Sequence, residues 1–460
     1  MSQSYIVILA AGQGKRMHSD LPKVLHPVGE RCLLEHVVDA AAASQPESVL
    51  VVYGHGGELV RERLPELQVE WVRQEQQLGT GHAVAQAMQF IPDDAHVVVL
   101  NGDVPLIQTE TIIALVERLQ SSDCMVVVTV EPDDPSGYGR IVRDSNGAVT
   151  GIVEQRDASE GQLAIGEINT GIMGLPAAKL RGWLSELKSD NAQGEYYLTD
   201  VIGFAVRDEV KVETVTAPAA DDLLGVNDRV QLAFLERRYQ QSRVDALMMV
   251  GATVRDPARL DIRGVVHCGR DVHLDVNVLL EGNVHLGDGA RVGANTVLRN
   301  VRVGANTVIL ENCVVEDVTI GEHCRIGPFT RLRPGTVLSN AVQVGNFVEV
   351  KKSTIATGSK VNHLSYVGDS DVGEDVNIGA GTITCNYDGA NKHRTVIGDR
   401  AFIGSGTELV APVVIAPGTT VGAGSTITCD TESDSLAVSR ARQRAIAGWK
   451  RPQKQTKTRK

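Results

Sequence analysis

The chain has 460 residues, of which 42% are hydrophobic and 22% are charged, and its formal net charge is −12. This length exceeds one ordinary hydrophobic core, so we expect two or three domains. The acidic balance argues against a general nucleic-acid binder. No stretch approaches the roughly 20 apolar residues that a membrane span requires, so we expect no membrane-embedded segment.

Seven cysteines are scattered along the chain without a C-x-x-C pair, which is typical of free thiols in a reducing compartment rather than of a zinc site. The apolar run from Tyr5 to Ala11 lacks the basic start and the cleavage site of a signal peptide, so it predicts a buried strand. We therefore expect a cytoplasmic protein. The basic tail from Lys450 to Lys460 is expected to be a solvated end rather than a specific anion site.

The first half of the chain alternates apolar runs with amphipathic segments. Runs that are apolar at nearly every position predict strands covered on both faces, as in a parallel sheet, at 6–9, 49–52, 97–100 and 125–130. Amphipathic segments between the runs predict helices at 33–43, 82–90 and 111–119. The alternation indicates an α/β doubly wound, Rossmann-like domain, in which ligands bind beyond the carboxyl ends of the strands.

A glycine-rich segment follows the first predicted strand. Gly12 and Gly14 would let backbone N–H groups approach a phosphate closely, and Arg16 and Lys23 could neutralise it. A dinucleotide-binding G-x-G-x-x-G is excluded because Met17 stands at its last glycine, and no G-x-x-x-x-G-K-[ST] occurs. By itself, the segment is equally compatible with an ordinary glycine-rich turn.

The apolar run at 97–100 leads into Asn101, Gly102 and Asp103. An aspartate at the carboxyl end of a strand is well placed to hold Mg²⁺ against nucleotide phosphates. Alternatively, Asp103 could cap a helix that begins near Pro105. Because Asp103 shares the predicted crevice with the glycine-rich segment and Lys23, we favour the magnesium interpretation.

Several motifs of this half resemble the sugar-nucleotide pyrophosphorylase family. They are L-A-A-G-x-G-x-R-M at 9–17, P-K at 22–23, Q-L-G-T-G-H at 77–82, G-D-x-P-L at 102–106, G-Y-G-R at 137–140 and E-I-N-T-G at 167–171. The resemblance implies attack of a sugar 1-phosphate on the α-phosphorus of a nucleoside triphosphate, without a covalent enzyme intermediate. It also implies that Arg16 and Lys23 act on the phosphates, and that Asp103 and Asn227 hold Mg²⁺.

The same resemblance implies a set of nucleotide and sugar contacts. This set comprises Leu9, Ala10, Ala11, Gly12, Lys23, Gln74, Gly79, Thr80, Asn101, Gly102, Asp103, Gly139, Glu154, Asn169 and Asn227. Gln74, Gly79 and Thr80 would lie against the base, whereas Gly139, Glu154 and Asn169 would hold the sugar. From the residues alone, Asn227 is better explained as the N-cap of the next helix.

From Asn227 to about Leu247 the sequence predicts one helix, with apolar pairs such as Val230 and Phe234 among many polar residues. We expect this helical linker, residues 227–247, to connect a first domain, residues 1–226, to a second domain, residues 248–460. We also expect it to do so without much burial of its own side chains.

Beyond the linker, aliphatic residues recur every six positions. The clearest series is Ile397, Ile403, Leu409, Ile415, Val421 and Ile427. Such a period fits short parallel strands joined by tight corners, three to a coil, with the aliphatic side chains stacked inside. Polar residues interrupt the pattern at 384–396, which predicts an extruded loop. The repeat resembles the left-handed parallel β-helix of hexapeptide-repeat acyltransferases, a family that forms homotrimers.

Acyl transfer to an amine requires a base, and histidine is suited to that role near neutral pH. R-L-R-P-G at 331–335, V-G-N-F-V-E at 344–349 and the run from Asn377 to Lys392 carry a further resemblance. It is to the family of bifunctional N-acetylglucosamine-1-phosphate uridylyltransferases/glucosamine-1-phosphate N-acetyltransferases, over nearly the whole chain. The resemblance implies that UTP and acetyl-coenzyme A are cosubstrates and that His363 accepts a proton from the glucosamine amino group.

The resemblance also implies the contacts of this second site. They are Arg333, Lys351, Tyr366, Asn377, Ala380, Asn386, Tyr387, Ser405, Ala423 and Arg440. We assign the oxyanion contact to the backbone N–H of Ala380. Taken alone, Arg440 could equally be a surface charge.

Two alternatives stay open from the sequence. The β-helix could serve only assembly or regulation of a nucleotidyltransferase that uses another sugar or base, in which case His363 would have no catalytic role. The whole chain could instead be a non-enzymatic scaffold, in which case replacing Asp103 would change no activity.

Overall fold

The structure is a computed structural model that describes residues 3–12, 14–54, 56–191, 193–217 and 219–454. It divides into two compact units, Met1–Ser242 and Arg243–Lys460. All seven cysteines are free, and no helix among the described residues is long and apolar enough to cross a membrane. The basic tail is exposed as far as Lys454, and its last six residues, 455–460, lie outside the described part.

A nine-stranded sheet forms the centre of the first unit. The strands of this unit are β1 Ser4–Ala10, β2 Pro27–Val28, β3 Arg31–Cys32, β4 Ser48–Tyr53, β5 Glu70–Arg73, β6 His96–Asn101, β7 Met125–Val130, β8 Arg140–Arg143, β9 Val149–Val153, β10 Ile168–Pro176 and β11 Val212–Thr216. The order in the sheet is β11-β7-β10-β6-β1-β4-β5, with β8 and β9 attached to β10, whereas β2 and β3 pair separately. Strands β6, β1 and β4 run parallel, as predicted, but β10 is antiparallel to both β6 and β7.

Helices cover both faces of this sheet, which confirms the doubly wound prediction. They are α1 Leu33–Ala43, α2 Glu58–Arg63, α3 Thr80–Ala87, α4 Thr109–Ser121, α5 Glu160–Leu163, α6 Ala177–Glu186, α7 Val201–Arg207 and α8 Arg229–Met249. Alternate residues of β1 explain the two layers, since Ile6 and Ile8 belong to one hydrophobic core and Val7 to the other.

Two helix-capping interpretations from the sequence are wrong. No helix begins near Pro105, because α4 starts at Thr109, so Asp103 caps nothing. Helix α8 is capped by Asp228, whose Oδ1 accepts hydrogen bonds from the N–H groups of Val230 and Gln231, both at 2.9 Å. Asn227 is therefore available for another role.

Helix α8 is the predicted linker helix, displaced by two residues at each end. The boundary between the two units falls inside it, after Ser242. Leu235 is fully buried in a core of the first unit, and Val244 is fully buried in the core of the second. The expectation of little burial is thus wrong. Val230 and Phe234, the apolar pair named in the sequence analysis, are exposed, but Leu235, Val244 and Leu247 of the same helix are buried.

The second unit is a parallel β-helix whose short strands form three faces. One face is a sheet of eleven strands: Thr253–Val254, His273–Leu274, Arg291–Val292, Val308–Ile309, Arg325–Ile326, Gln343–Asn346, Lys360–His363, Asn377–Ile378, Phe402–Ile403, Thr420–Val421 and Leu436–Ala437. The other two faces share a fifteen-stranded sheet: Leu260–Cys268, Val278–Leu286, Val297–Val303, Val314–Ile320, Arg331–Leu332, Thr336–Leu338, Glu349–Lys351, Thr354–Ile355, Tyr366–Gly368, Ser370–Val372, Ile383–Cys385, Thr395–Ile397, Glu408–Val410, Val413–Ile415 and Thr426–Ile427.

The six-residue period places one aliphatic side chain from each face in the interior. All six members of the series from Ile397 to Ile427 are buried, the most exposed of them at 5%. They stack on equivalent residues one coil away, as Ile378 pairs with Ile403 and Ile403 with Val421. The prediction of a hexapeptide β-helix is confirmed, and the packing explains why each coil accepts only aliphatic residues at these positions.

The predicted extruded loop is present. Asp371 pairs with Val396 on the next coil after 25 positions, whereas Val396 pairs with Val414 after 18, so this coil holds seven extra residues without breaking the ladder. Within the loop, the N–H of His393 donates to the Asn386 carbonyl at 2.8 Å, and Tyr387 bridges to Lys392. The loop therefore returns on itself and carries Lys392 back toward the body of the β-helix.

Candidate active sites

A cavity of about 590 Å³ opens at the carboxyl ends of β1 and β6. These strands are parallel neighbours, so they end at the same edge of the sheet. Most residues predicted for the first site line this cavity: Leu9, Ala10, Ala11, Gly12, Arg16, Lys23, Gln74, Gly79, Thr80, Asn101, Asp103 and Asn227. The sequence prediction of one crevice for these residues is thus confirmed as geometry.

One wall of the cavity pairs two cationic side chains with two side-chain oxygens. The Lys23 ammonium forms an ion pair with the Asp103 carboxylate, and the two side chains are only 14% and 20% exposed. The Arg16 guanidinium donates to Asn227 Oδ1 at 2.9 Å. The N–H of Val226 donates to the Asp103 carbonyl at 2.9 Å, which places Asn227 next to Asp103.

This wall fits a magnesium ion. A carboxylate and an amide oxygen are hard ligands, and Mg²⁺ usually takes one or two such protein ligands together with substrate phosphates and water. Asp103 and Asn227 provide both oxygens on the cavity that Arg16 and Lys23 also line.

The opposite end of the cavity is rigid. Gln74 is 2% exposed, and its Nε2 donates to the Gly79 carbonyl at 3.2 Å and lies 2.9 Å from His82 Nδ1. Gly79 has φ +113°, and a Cβ there would lie 2.6 Å from the carbonyl oxygen of Tyr196. Thr80 Oγ1 accepts from the N–H of Leu198 at 3.0 Å. Such a wall can present fixed polar groups to a flat heterocycle.

The residues predicted to hold the sugar form a second group. The N–H of Asn169 donates to the Gly139 carbonyl at 2.9 Å, and a Cβ on Gly139 would lie 3.4 Å from a Glu154 carboxylate oxygen. Glu154 lines a smaller cavity of about 320 Å³. Burial, followed by the charges of Asp157 and Asp200, raises the pKa of Glu154.

Apart from Gly14 of the glycine-rich segment, five residues that line the first cavity were not among the predicted contacts: Lys15, Val24, Gln77, Ala83 and Glu195. Gln77 Nε2 donates to the Ala11 carbonyl and so fixes the glycine-rich segment. Its position in Q-L-G-T-G-H was a usable signal. Glu195 also lines the cavity, but no motif pointed to it. Gly102, in contrast, is not among the residues that line the cavity. Its N–H donates to the Leu9 carbonyl at 2.9 Å and so links the ends of β6 and β1.

In the second unit, His363, Ala380, Ser405 and Ala423 follow one edge of the β-helix in consecutive coils. The N–H of the residue after Ala380 donates to the His363 carbonyl at 3.3 Å. The residue after Ser405 donates to the Ala380 carbonyl at 2.7 Å, and the residue after Ala423 donates to the Ser405 carbonyl at 2.8 Å. Arg440 Nη1 then donates to the Ala423 carbonyl at 2.5 Å. An extended ligand could lie along this edge.

The His363 ring is held in one orientation. Its Nδ1 lies 3.1 Å from Asn346 Oδ1, one coil earlier. Because the amide oxygen can only accept, this contact favours the neutral tautomer with its hydrogen on Nδ1, which leaves a lone pair on Nε2. The side chain is exposed, so Nε2 is accessible as a base.

Cationic side chains gather on the adjacent face. Arg333 Nη1 donates to Glu349 Oε1 at 2.7 Å, and Lys351 Nζ lies 3.8 Å from an Asp369 carboxylate oxygen. The extruded loop brings Lys392 beside Lys351, and the hydrogen bond between the two side chains, followed by the Lys351 charge, lowers the pKa of Lys392. Two adjacent ammonium groups form a natural site for a phosphate dianion.

The remaining predicted residues complete or flank this site. Asn386 Nδ2 lies 3.4 Å from the Tyr366 hydroxyl and also donates to Asp369. Tyr387 is 60% exposed, and its hydroxyl donates to the carbonyl of the loop residue Gly389 at 2.7 Å. Asn377 lies on the same turn as Ala380, opposite Lys360 in register.

Three residues of the second site were missing from the predicted contacts. Asn346 orients the base, Lys392 adds a second ammonium group, and Asp369 joins Lys351 to Asn386. Asn346 and Lys392 belong to motifs visible in the sequence. Asp369 stands in a stretch without any motif, so only the fold reveals it.

Three protein-family models match the chain. The MobA-like NTP transferase domain matches residues 6–195. The GMPPB C-terminal domain matches residues 262–347, and the bacterial transferase hexapeptide, with six repeats, matches residues 394–429. The order of the matches agrees with the two units of the structure.

Curated relatives cover the chain from end to end. The bifunctional protein GlmU of Nitrosospira multiformis is 54% identical over 458 residues, which is 99% of each chain. The GlmU of Methylococcus capsulatus is 54% identical over 98% of each chain, and that of Azoarcus sp. is 55% identical over 98% of this chain and 99% of its own. A solved UDP-glucose pyrophosphorylase complexed with UDP-glucose is 18% identical, with a TM-score of 0.44, and covers 53% of this chain and 100% of its own; it adds nothing to the assignment.

Identity above 50% across both units, together with transferase-family matches in both, leads to one conclusion: the chain belongs to the GlmU family of bifunctional proteins.

Proposed function

We infer that the protein is a bifunctional enzyme of UDP-N-acetylglucosamine synthesis. The second unit transfers an acetyl group from acetyl-coenzyme A to glucosamine 1-phosphate. The first unit transfers UMP from UTP to the resulting N-acetylglucosamine 1-phosphate and releases pyrophosphate, with Mg²⁺ as its cofactor. The observation that carries this conclusion is full-length identity to the GlmU family, combined with two separate polar sites on the two units.

For uridylyl transfer, we assign the cavity of the first unit to UTP. A sugar phosphate oxygen attacks the α-phosphorus while the bond to pyrophosphate breaks, so negative charge accumulates between two anions. Lys23 and Arg16 are placed to offset that charge, and the rigid wall of Gln74, Gly79 and Thr80 is placed to receive the base. Bound between Asp103 and Asn227, magnesium would supply further charge neutralisation at the phosphates.

Lys23 and Arg16 also have a role before substrate arrives. In the structure, they occupy the two oxygen donors, Asp103 and Asn227, through an ion pair and a hydrogen bond. In the absence of substrate, the Lys23 charge is therefore balanced by Asp103, and the Arg16 guanidinium is hydrogen-bonded to Asn227. Binding of the triphosphate gives both cations a new anionic partner and frees the two oxygens.

For acetyl transfer, we assign His363 as the base. The neutral amino nitrogen of glucosamine 1-phosphate attacks the thioester carbonyl, and Nε2 accepts one of its two protons as the C–N bond forms. The resulting oxyanion would be held by the backbone N–H of Ala380, and its collapse expels the coenzyme A thiolate, which takes the proton from His363. Lys351, Arg333 and Tyr366 are assigned to the sugar phosphate.

We further propose that the protein forms a homotrimer through the β-helix. Phe329 and Phe347 stack on its outer surface with ring centroids 5.4 Å apart, and Leu364 continues the row. These side chains are 49%, 56% and 61% exposed. A row of three exposed apolar residues beside His363 suits burial against a second copy of the chain. The free cysteines and the nature of the cosubstrates support a cytoplasmic location.

The decisive experiment supplies the purified protein with glucosamine 1-phosphate, acetyl-coenzyme A, UTP and Mg²⁺ together. We expect UDP-N-acetylglucosamine, with thiol and pyrophosphate released in equal amounts. Thiol release without pyrophosphate, or pyrophosphate without thiol, would remove one of the two activities. Absence of both would overturn the assignment. Light scattering of the same sample should give three times the chain mass.

A further inference from the structure

Asp369 occupies a corner of the β-helix directly after the strand that carries Tyr366. Its backbone is left-handed, with φ +49°, a conformation that is unfavourable for residues other than glycine, asparagine and aspartate. Its N–H donates to the Lys351 carbonyl at 2.9 Å, and its carbonyl accepts from the N–H of Thr395 at 3.2 Å. The backbone of Asp369 is thus fixed between the coils below and above it.

The side chain of Asp369 is 17% exposed and contacts two residues of the acetylation site. One carboxylate oxygen lies 3.8 Å from Lys351 Nζ and also accepts a hydrogen bond from Asn386 Nδ2. Asn386 is itself 8% exposed. Since its amino group is turned toward Asp369, its carbonyl oxygen is turned away from the carboxylate.

The charges around Lys392 show what this carboxylate does. The groups that face Lys392 are Lys351, Asp369 and Tyr366, and the side-chain hydrogen bond with Lys351, followed by the Lys351 charge, lowers the pKa of Lys392. Asp369 acts in the opposite direction, as the carboxylate of the group. It therefore reduces the repulsion that two neighbouring ammonium groups would otherwise experience.

We propose that Asp369 is a positioning residue of the acetylation site. Its carboxylate keeps Lys351 and Lys392 together as a charged pair and sets the direction of the Asn386 amide, without touching the substrate. The inference rests on the acetyl transfer proposed above. It assigns a role to a residue outside the substrate contacts predicted from the sequence.

The chain offers a matched control for this residue. Asp317 lies at the equivalent corner three coils earlier, with the same φ of +49°. Its carboxylate also accepts from an asparagine amide, Asn300 Nδ2, at 3.1 Å. At a coil spacing of about 4.8 Å, the two corners are roughly 14 Å apart, so Asp317 has the same local role without the two lysines.

The test compares Asp369→Asn with Asp317→Asn in the full-length protein. Acetyl transfer is followed by thiol release across the pH range 6–10, with glucosamine 1-phosphate and acetyl-coenzyme A varied separately. Asp369→Asn keeps the shape of the side chain and removes its charge. We expect the KM for glucosamine 1-phosphate to rise several-fold on the alkaline side. The KM for acetyl-coenzyme A should stay unchanged.

The direction of the pH effect is fixed by the sign of the lost charge. Without Asp369, the pKa of Lys392 falls further, so the alkaline limb of kcat/KM for glucosamine 1-phosphate should move to lower pH. Asp317→Asn should leave that limb in place. Circular dichroism and the melting temperature of the same samples report whether the β-helix of each variant is folded, because uridylyl transfer belongs to the other unit.

Three outcomes would overturn the proposal: an unmoved alkaline limb in Asp369→Asn, equal changes in the KM of both substrates, or the same shift in Asp317→Asn. If Asp369→Asn lost the β-sheet circular dichroism of the wild type, a fold-wide role would be indicated and the positioning role rejected. The wild type separates this inference from the proposed function. If it acetylates glucosamine 1-phosphate while Asp369→Asn behaves identically, only the role of Asp369 fails.

Discussion

Replacing Gly14 with alanine should separate the two activities of the protein. Gly14 has φ +57°, and an added Cβ would lie 2.8 Å from Lys23 Cβ. Carbon atoms pack best at about 3.5–4.0 Å, so relief of this contact requires the two residues to separate by roughly 1 Å. Lys23 would then move away from the position in which it faces Asp103 and the cavity.

Two effects of this change can be estimated. The left-handed backbone costs an alanine about 1–2 kcal/mol of stability. A displacement of about 1 Å in a positioned catalytic group lowers the rate by about 100-fold. We therefore expect uridylyl transfer to fall about 100-fold with only a small fall in melting temperature. Acetyl transfer should be unchanged, because its residues lie in the second unit.

The assay is pyrophosphate release from UTP and N-acetylglucosamine 1-phosphate, with thiol release measured in the same sample. Gly147→Ala is the control, because Gly147 also has a positive φ, +84°, but a Cβ there would contact nothing within 4 Å. It should lose stability alone. The reasoning fails if Gly14→Ala retains uridylyl transfer near the wild-type rate, or if Gly147→Ala loses as much of it.

Three further predictions follow from the two sites and the linker helix. His363→Ala should abolish thiol release and leave pyrophosphate release intact, since the base serves one unit; an acetylating variant would reject that role. A fragment ending at Ser242 should be more stable in urea than one ending at Asn227, by about 2–3 kcal/mol for the lost burial of Leu235; equal midpoints would contradict this. Because burial raises the pKa of Glu154, its carboxylate should gain a proton at a higher pH than an ordinary glutamate does. The KM for N-acetylglucosamine 1-phosphate should then rise toward acid in the wild type, and this pH dependence should flatten in Glu154→Gln; a persistent acid limb would assign it to another group.

The sequence predicted elements well where a local pattern dominates. Apolar runs located four of the nine strands of the first sheet, β1, β4, β6 and β7, and helix α1 was predicted at its observed bounds. Burial on both faces and helical periodicity are properties of adjacent residues, so a local pattern reveals them. The six-residue period of the β-helix was equally clear. The antiparallel insertion of β10 between β6 and β7 was missed, because strand order depends on pairing between distant segments.

The sites show the same division. Glycine, lysine and aspartate in motifs led to the first cavity, and His363 was recognised with its neighbours. The N-cap role favoured for Asn227 from the residues alone was wrong, because Asp228 caps the same helix end and composition does not distinguish the two residues. The metal-ligand role of Asn227 stays a prediction. Asp369 was missed because its contacts join residues 17 and 18 positions away, on adjacent coils.

The extruded loop at 384–396 also bears on how such a scaffold can diversify. Asp371 pairs with Val396 after 25 positions and Val396 pairs with Val414 after 18, so the ladder is continuous although one coil is seven residues longer. The length and composition of this loop can therefore change while the paired strands on either side of it stabilise the β-helix. Other coils of the β-helix should accept the same loop when it is inserted between two of their paired strands. Exchange of this one loop, on an otherwise unchanged β-helix, would then give an acetyltransferase a new acceptor specificity.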